Sequence, residues 1–146
     1  MLTYDLIVIG FGKAGKTLAA KIATQDKKVA LIERSKAMYG GTCINIACIP
    51  TKTLLVAAEK GLSFEEVMAE KNEVTSRLNG KNYAAISSAG VDIIDAEAHF
   101  LSNKIIEIVA GDEKQELTAE NIVINTGAVS NILPIPGLTT TKNVYD

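Results

Sequence analysis

The feature that most constrains the fold of this chain is a short apolar run that leads directly into a glycine-rich loop. Leu6–Ile9 has the composition of a buried parallel strand. Gly10, Gly12 and Gly15 follow it with the spacing G-x-G-x-x-G. Glycines at this spacing allow a tight turn and expose backbone N–H groups at the start of a helix, where a phosphate binds. The apolar spacing of residues 16–23 predicts that helix.

The same loop also satisfies the P-loop pattern G-x-x-x-x-G-K-[ST] over Gly10–Thr17. A dinucleotide fold differs in requiring a second strand that ends in an acidic residue about 20 positions on. The next apolar run meets that requirement, since it ends in Glu33, eighteen positions after Gly15. We therefore favour the dinucleotide interpretation, in which Lys16 and Thr17 are ordinary first-turn helix residues. A P-loop nucleotide-binding protein remains the alternative.

The only two cysteines of the chain stand five positions apart, at Cys43 and Cys48. On a regular helix, five residues correspond to about 500° of rotation, so the two thiols would point to different faces. A disulfide needs Cα atoms roughly 4.4–6.8 Å apart, so we expect an irregular turn between the two residues. The regular helix is then expected to begin near residue 49 or 50 and to run through Lys60, with Gly61 as a left-handed cap. Cys48 would lie at the helix N-terminus, where the helix dipole favours a thiolate and lowers the thiol pKa.

The cysteine segment, G-G-T-C followed by C-x-P-T-K, resembles the redox-active disulfide of the class I pyridine nucleotide–disulfide oxidoreductases, which include glutathione reductase, mercuric reductase and lipoamide dehydrogenase. Other landmarks of that family match in order along the whole chain. The resemblance implies that Cys43 is the thiol that exchanges with substrate and that Cys48 lies against the flavin. It also implies that Lys52 approaches the reactive nitrogen of the flavin, so these three residues are the predicted catalytic group.

The cofactor implied by the resemblance is FAD, with NAD(P)H as co-substrate of the intact enzyme, and no metal is implied. Electrons would pass from NAD(P)H to FAD, then to the Cys48–Cys43 disulfide, and out to substrate. The resemblance assigns FAD contacts to Gly10, Gly12, Gly15, Glu33, Gly41, Thr42, Cys48, Lys52, Ala98, Thr126 and Gly127.

Two positions depart from the family pattern. Ala47 stands before the second cysteine, and Ala96 stands near the strand expected beside the adenine, where the family usually has glycine. If the backbone at Ala47 needs a positive φ, alanine costs about 1 kcal/mol there.

The remaining patterns complete an α/β prediction: a three-layer Rossmann-like FAD-binding fold with a parallel sheet and an antiparallel β-meander insertion. A capping box at Ser63 opens a helix predicted to run to Gly80. The predicted elements that follow are a short helix at 82–88, a parallel strand at 91–96, meander strands at 99–101, 104–109 and 115–118, and a parallel strand at 122–128. His99, the only histidine, is expected to be a strand or surface residue without a catalytic role.

The resemblance covers roughly the N-terminal third of such an enzyme. It implies that residues 1–146 are the N-terminal portion of the FAD-binding domain, without the NAD(P)H and dimerisation domains through which the intact enzyme would be a homodimer. The chain alone is expected to be inactive. Longer strings, such as G-F-G-K-A-G-K-T, look most similar to a bacterial branch linked to oxidative stress defence against reactive chlorine and hypothiocyanous acid. The implied substrate is therefore a small oxidant such as hypothiocyanous acid, with a mercuric or glutathione-type reductase as the alternative.

Charge and hydropathy restrict the partners. The net charge is −2 with 22% charged residues, so no polybasic surface indicates binding to nucleic acid or to an anionic membrane. Apolar runs are too short to span a bilayer, and the first strand begins too early to leave room for a signal peptide. We therefore expect a cytoplasmic enzyme, a setting in which an internal disulfide is usually catalytic.

Overall fold

The computed structural model describes residues 1–144, so the predicted domain 1–146 extends two residues beyond the described part. The chain forms strands and helices in an alternating order, with a β-meander near its C-terminus. The elements are β1 (Leu2–Ile9), α1 (Lys13–Ala23), β2 (Val29–Glu33), α2 (Thr42–Asn45), α3 (Cys48–Glu59), α4 (Phe64–Ser88), β3 (Asp92–Asp95), β4 (Glu97–Ser102), β5 (Ile105–Ala110) and β6 (Glu113–Ile124). A 3₁₀ turn at Lys36–Met38 precedes α2.

The described strands form one sheet in the order β3-β2-β1-β6-β5-β4. Strand β1 is central and pairs in parallel on both sides, with Ile7 opposite Ala30 of β2 and Ile122 of β6. Strand β3 extends the parallel half, whereas β4, β5 and β6 pair antiparallel. Because both faces of β1 and β2 are covered, their sequences are nearly continuous apolar runs rather than alternating ones.

Two apolar clusters, one on each face of the parallel strands, give the molecule three layers. Leu6 and Val8 pack with Ala19 of α1 and Ile86 of α4. Ile7 belongs to the other cluster, which includes residues of β2, β5 and β6. The meander therefore lies over one face of the parallel sheet and the helices lie over the other. This arrangement confirms the predicted three-layer α/β fold.

Helix α4 differs from the prediction, which placed one helix before Gly80 and a second at 82–88. The structure has one continuous helix from Phe64 to Ser88. Glycine inside a helix costs only about 1 kcal/mol relative to alanine, and packing of Val67 and Ile86 at the two ends of the helix outweighs that cost. The predicted capping box is confirmed: Ser63 Oγ accepts from the Glu66 N–H, and a Glu66 carboxylate oxygen accepts from the Ser63 N–H at 2.9 Å.

Replacing Gly80 by alanine should therefore stabilise the protein. A Cβ at this position would meet no atom within 4 Å, and the residue does not have a positive φ. We expect Gly80→Ala to raise the free energy of unfolding by about 0.4–1 kcal/mol, measured by urea denaturation. Gly61→Ala is the matched control, because Gly61 also has open space but holds a φ of +73°, so alanine should destabilise there. A loss of stability in Gly80→Ala would contradict an uninterrupted helix.

Strand β6 is also longer than predicted. The segments 115–118 and 122–128 were expected to be two separate strands, but Glu113–Ile124 is a single strand and it ends before Asn125. Its first half pairs antiparallel with β5 and its second half continues in parallel beside β1, with Leu117 paired on both sides. The polar residues in the middle of the run face outward on the strand and do not interrupt the ladder. Within residues 1–144, none of the helices combines the length and apolar character needed to cross a membrane.

Candidate functional site

A cavity of about 440 Å³ opens at the carboxyl ends of β1, β2 and β6. The chain passes from β1 to β2 on one side, whereas β6 lies on the other side of β1, so the strand order reverses at this point. In open α/β sheets such a topological switch point is where ligands bind. The location of the cavity therefore agrees with the dinucleotide interpretation of the glycine-rich loop.

Most of the residues predicted to contact FAD line this cavity. They are Gly10, Gly12, Glu33, Gly41, Thr42, Ala98, Thr126 and Gly127. Three predicted contacts, Gly15, Cys48 and Lys52, do not line it. Gly15 instead allows α1 to pack closely on the sheet, since a Cβ there would stand 2.6 Å from Cγ1 of Val8.

The side chain of Asn125, which the sequence analysis did not single out, fixes the glycine-rich loop. Its Nδ2 donates to the carbonyl oxygens of Gly10 and Gly12, both at 3.1 Å. Gly10 has a φ of +101°, and a Cβ there would stand 2.3 Å from the carbonyl oxygen of Asn125. The signal in the sequence was an amide side chain directly after an apolar strand, at the edge of the sheet where the loop begins.

Glu33 joins two backbone segments beside the cavity. One carboxylate oxygen accepts from the Phe11 N–H and the other from the Ser35 N–H, each at 3.0 Å. The Glu33 carbonyl accepts from the N–H of Ala96, which is buried and does not have a positive φ. Alanine in place of the usual glycine is therefore compatible with the backbone at position 96.

The N-terminus of helix α1 is available to an anion. Its N-cap residue, Gly12, makes no side-chain capping bond, and its first turn carries no acidic residue. Backbone N–H groups at such a terminus and the positive end of the helix dipole favour a phosphate. The loop thus fits the diphosphate of a dinucleotide without needing a cationic side chain in the cavity.

The two cysteines lie on consecutive short helical segments that are separated by a break. Cys43 is in α2 and is half-buried, whereas Cys48 is the first residue of α3 and is exposed. Between them, Ile46 and Ala47 both direct their N–H groups to the Thr42 carbonyl at 2.9 Å. The irregular turn expected from the sequence is therefore present. Ala47 has a φ of −110°, so alanine carries no left-handed strain at this position.

A hydrogen-bonding interaction with Cys48 and partial burial raise the pKa of the Cys43 thiol, while the ammonium groups of Lys16 and Lys13 act in the opposite direction. Lys52 is exposed on α3, four residues after Cys48, and so lies on the same side of that helix. The structure therefore brings the three predicted catalytic residues to one region beside, rather than inside, the cavity.

Lys16 does not behave as the ordinary first-turn residue predicted from the sequence. It is 6% exposed, and its Nζ donates to the Oδ1 of Asn82 on α4. Desolvation by burial lowers its pKa, and repulsion from Lys13 adds to that effect. A P-loop lysine must reach the phosphates of its ligand, whereas Lys16 does not line the cavity. This geometry does not favour the P-loop alternative.

His99 lies on β4, where it is exposed and pairs in register with Glu107 of β5. The thiols lie on α2 and α3, and the cavity is lined by other residues. The placement is the strand or surface position expected from the sequence.

The chain matches known proteins over nearly its full length. The family described as pyridine nucleotide-disulphide oxidoreductase matches residues 4–146. The chain is 48% identical over 147 residues to the Escherichia coli (strain K12) protein described as "Probable pyridine nucleotide-disulfide oxidoreductase RclA", covering 100% of this chain and 33% of that protein. It is 33% identical over 153 residues to a mercuric reductase of Staphylococcus aureus, covering 92% of this chain and 27% of that protein.

A solved structure gives the same result. The Cu(II) complex of HOCl-induced flavoprotein disulfide reductase RclA from Escherichia coli matches with a TM-score of 0.93 and 47% identity, covering 97% of this chain and 32% of that one. The chain thus spans about a third of the length of the relatives that it matches. It belongs to the pyridine nucleotide–disulphide oxidoreductase family.

Proposed function

We propose that this chain is the FAD-binding and redox-disulfide portion of an NAD(P)H-dependent disulfide reductase whose substrate is a small oxidant. The observation that carries the proposal is that one segment contributes to both functions. Gly41 and Thr42 line the cavity, and the thiol of Cys43 follows directly. A ligand bound in the cavity would therefore lie next to the segment that holds the thiol pair.

The chain's own residues fit the cofactor that family membership implies, which is FAD. The uncapped start of α1 would receive the diphosphate, and the carboxylate of Glu33 would receive the ribose hydroxyls of the adenosine half. When bound, FAD would supply two electrons taken from NAD(P)H. Cys48 and Lys52, on one side of α3, would face the flavin, and Cys43 would face the substrate.

The step that the thiols perform can be written for hypothiocyanous acid. The Cys43 thiolate attacks the oxidant's sulfur, and the hydroxide that leaves takes up a proton to become water. The Cys48 thiolate then attacks the Cys43 sulfur, so that the disulfide forms and thiocyanate leaves. Two cysteine sulfurs lose two electrons in total, and the oxidant gains both. The thiolate form is the nucleophile in each attack.

The choice of a small oxidant rests on the likeness to RclA, which is described as an HOCl-induced flavoprotein disulfide reductase. A metal ion such as Hg²⁺ is the second candidate, because the chain is also similar to mercuric reductase and presents two adjacent thiols. In the intact protein, further domains would bind NAD(P)H and form a homodimer.

Titration of the purified chain with FAD, and separately with ATP and Mg²⁺, tests this proposal. We expect saturable quenching of flavin fluorescence, no ATP binding by calorimetry, and no turnover with NADPH by this chain alone. Glu33→Gln should weaken FAD binding by about tenfold or more, because hydrogen bonds to a charged group contribute about 1.5–3 kcal/mol.

Glu73→Gln is the matched control, since Glu73 is exposed on α4 and does not line the cavity. An equal loss of FAD affinity in Glu33→Gln and Glu73→Gln would contradict the proposed contact between Glu33 and the ribose. Binding of ATP without FAD would overturn the flavin assignment.

A further inference from the structure

A buried lysine lies close to the residues that precede the cysteine pair. Among residues 1–144, Lys16 is the only charged residue that is buried. Burying an ammonium group is costly unless it is paired, and such groups are retained at few positions without a partner or a task. Its hydrogen-bond partner, the Asn82 side chain, is neutral and therefore leaves its charge uncompensated.

Close backbone packing places this charge beside the cysteine segment. A Cβ on Gly41 would stand 2.7 Å from the Cα of Gly12, so the residues before Cys43 lie directly against the start of α1. On the other side, a Cβ on Gly40 would stand 3.2 Å from the Cγ of Asn82. The Lys16 side chain thus extends from α1 to α4, and the residues before Cys43 contact both helices at this point.

Asn82 is itself fixed in a single orientation. Its Nδ2 donates to the Leu78 carbonyl at 2.7 Å, which directs Oδ1 towards Lys16. The neighbouring amide, Asn79, donates to the Asn45 side chain at 3.2 Å and so ties α4 to α2. The side chains of Asn79 and Asn82 therefore attach both α2 and the Lys16 ammonium group to α4.

We propose that Lys16, held by Asn82, is a positioning residue that stabilises the thiolate of Cys43. The groups that act on this thiol are Cys48 from α3 and Lys13 and Lys16 from α1. The α4 side chains that hydrogen-bond to Lys16 and to α2 are uncharged amides, and the α4 phenol Tyr83 stacks on Tyr39. Lys13 is exposed, so solvent and salt screen its charge, whereas Lys16 is shielded from both. Lys16 therefore offsets part of the increase in the Cys43 thiol pKa that the interaction with Cys48 and partial burial cause.

The sign of the expected effect follows from the charge. A positive charge favours the thiolate and lowers the thiol pKa, so removing it raises the pKa and moves the pH profile of thiol reactivity to higher pH. Below the pKa, each unit of increase lowers the thiolate fraction tenfold while making each thiolate about 2.5- to 3-fold more nucleophilic. The observed rate then falls about three- to fourfold per unit.

The experiment measures iodoacetamide alkylation of Cys43 against pH, in a Cys48→Ser background of the full chain. We expect Lys16→Met to shift the profile to higher pH and to slow alkylation at pH 7, by about three- to fourfold for each pH unit of that shift. Lys16→Arg, which keeps the charge, should restore the parent profile. Lys21→Met is the matched control, because Lys21 is exposed near the end of the same helix and should leave the profile unchanged.

Asn82→Asp provides a second, independent variant in case Lys16→Met does not fold. It keeps the shape and the hydrogen-bond acceptor but pairs Lys16 with a carboxylate, so the profile should again shift to higher pH. The added carboxylate cancels the positive field of Lys16 at the thiol, so a profile that stays unchanged in this variant would contradict an electrostatic role for Lys16. An unchanged profile in either folded variant, or equal slowing in Lys21→Met, would overturn the proposal.

The role of this effect in disulfide exchange rests on the proposed function. The alkylation test needs neither flavin nor pyridine nucleotide, so its failure is distinguishable from a failure to bind FAD.

Discussion

Gly10→Ala is expected to destabilise the protein by about 3 kcal/mol or more and to abolish FAD binding. Two costs add at this position. The φ of +101° is outside the range that alanine readily adopts, and the new Cβ would stand 2.3 Å from the carbonyl oxygen of Asn125. The obstructing atom belongs to the backbone at the end of β6 and cannot move aside as a flexible side chain could. Relief of the clash must separate β1 from β6 at the edge of the cavity.

Gly111→Ala separates the two costs. Gly111 also has a positive φ, +62°, but a Cβ there would meet no atom within 4 Å. This control should lose only about 1–2 kcal/mol and should bind FAD as the parent does. Urea denaturation and flavin fluorescence titration measure both quantities. Equal destabilisation of the two variants would show that the contact with Asn125 contributes nothing.

The parts of the fold set by local periodicity could be predicted from the sequence. Leu6–Ile9 and residues 29–32 are uninterrupted apolar runs, a pattern typical of a strand that is buried on both faces. The capping box at Ser63 specifies a helix start through hydrogen bonds within four residues. These two strands and this helix start are each specified by a few neighbouring residues, so a short stretch of sequence is enough to predict them.

The sequence-based predictions of α4 and β6 were wrong because contacts between residues far apart in sequence outweigh a local preference. Gly80 has the local character of a helix end, yet packing at both ends keeps α4 continuous. The polar middle of β6 has the character of a turn, yet it stays extended because pairing with β1 begins at Leu117, before pairing with β5 ends at Thr118, and continues to Ile124. Neither partner strand is identifiable from the residues of β6 themselves.

The candidate site shows the same division. The glycines and Glu33 follow a spacing that recurs wherever a loop of this kind binds a dinucleotide, so they could be identified from the sequence alone. The hydrogen bonds that give Asn125 and Lys16 their roles could not be identified in this way, because the partners lie 113 and 66 positions away. Lys16 in particular matches the P-loop pattern in sequence, and only its burial and its bond to Asn82 of α4 distinguish it from a phosphate-binding lysine.

The largest chemical effect is expected from the cysteines. Mild oxidation with diamide should convert the parent chain to a single internal disulfide, with the loss of two hydrogens by mass spectrometry. Cys43→Ser and Cys48→Ser should each abolish this product completely, because the chain has only two cysteines. The break between α2 and α3 at Ile46 and Ala47 places the two cysteines on consecutive short helical segments, so we expect the disulfide to form by a local adjustment of this turn.

The same two variants also test which thiol faces the flavin, since each leaves one thiol to be alkylated. Without cofactor, Cys48 should react faster than Cys43, because Cys48 is exposed and Cys43 is half-buried. Saturating FAD should slow alkylation of Cys48 strongly and leave that of Cys43 near its flavin-free rate, because the proposed assignment puts only Cys48 against the ring. Protection of Cys43 instead of Cys48 would reverse the assignment. If FAD protected neither thiol, the bound flavin would lie away from α3. That result would contradict the proposed arrangement, in which Gly41 and Thr42 connect the cavity wall to the cysteine segment.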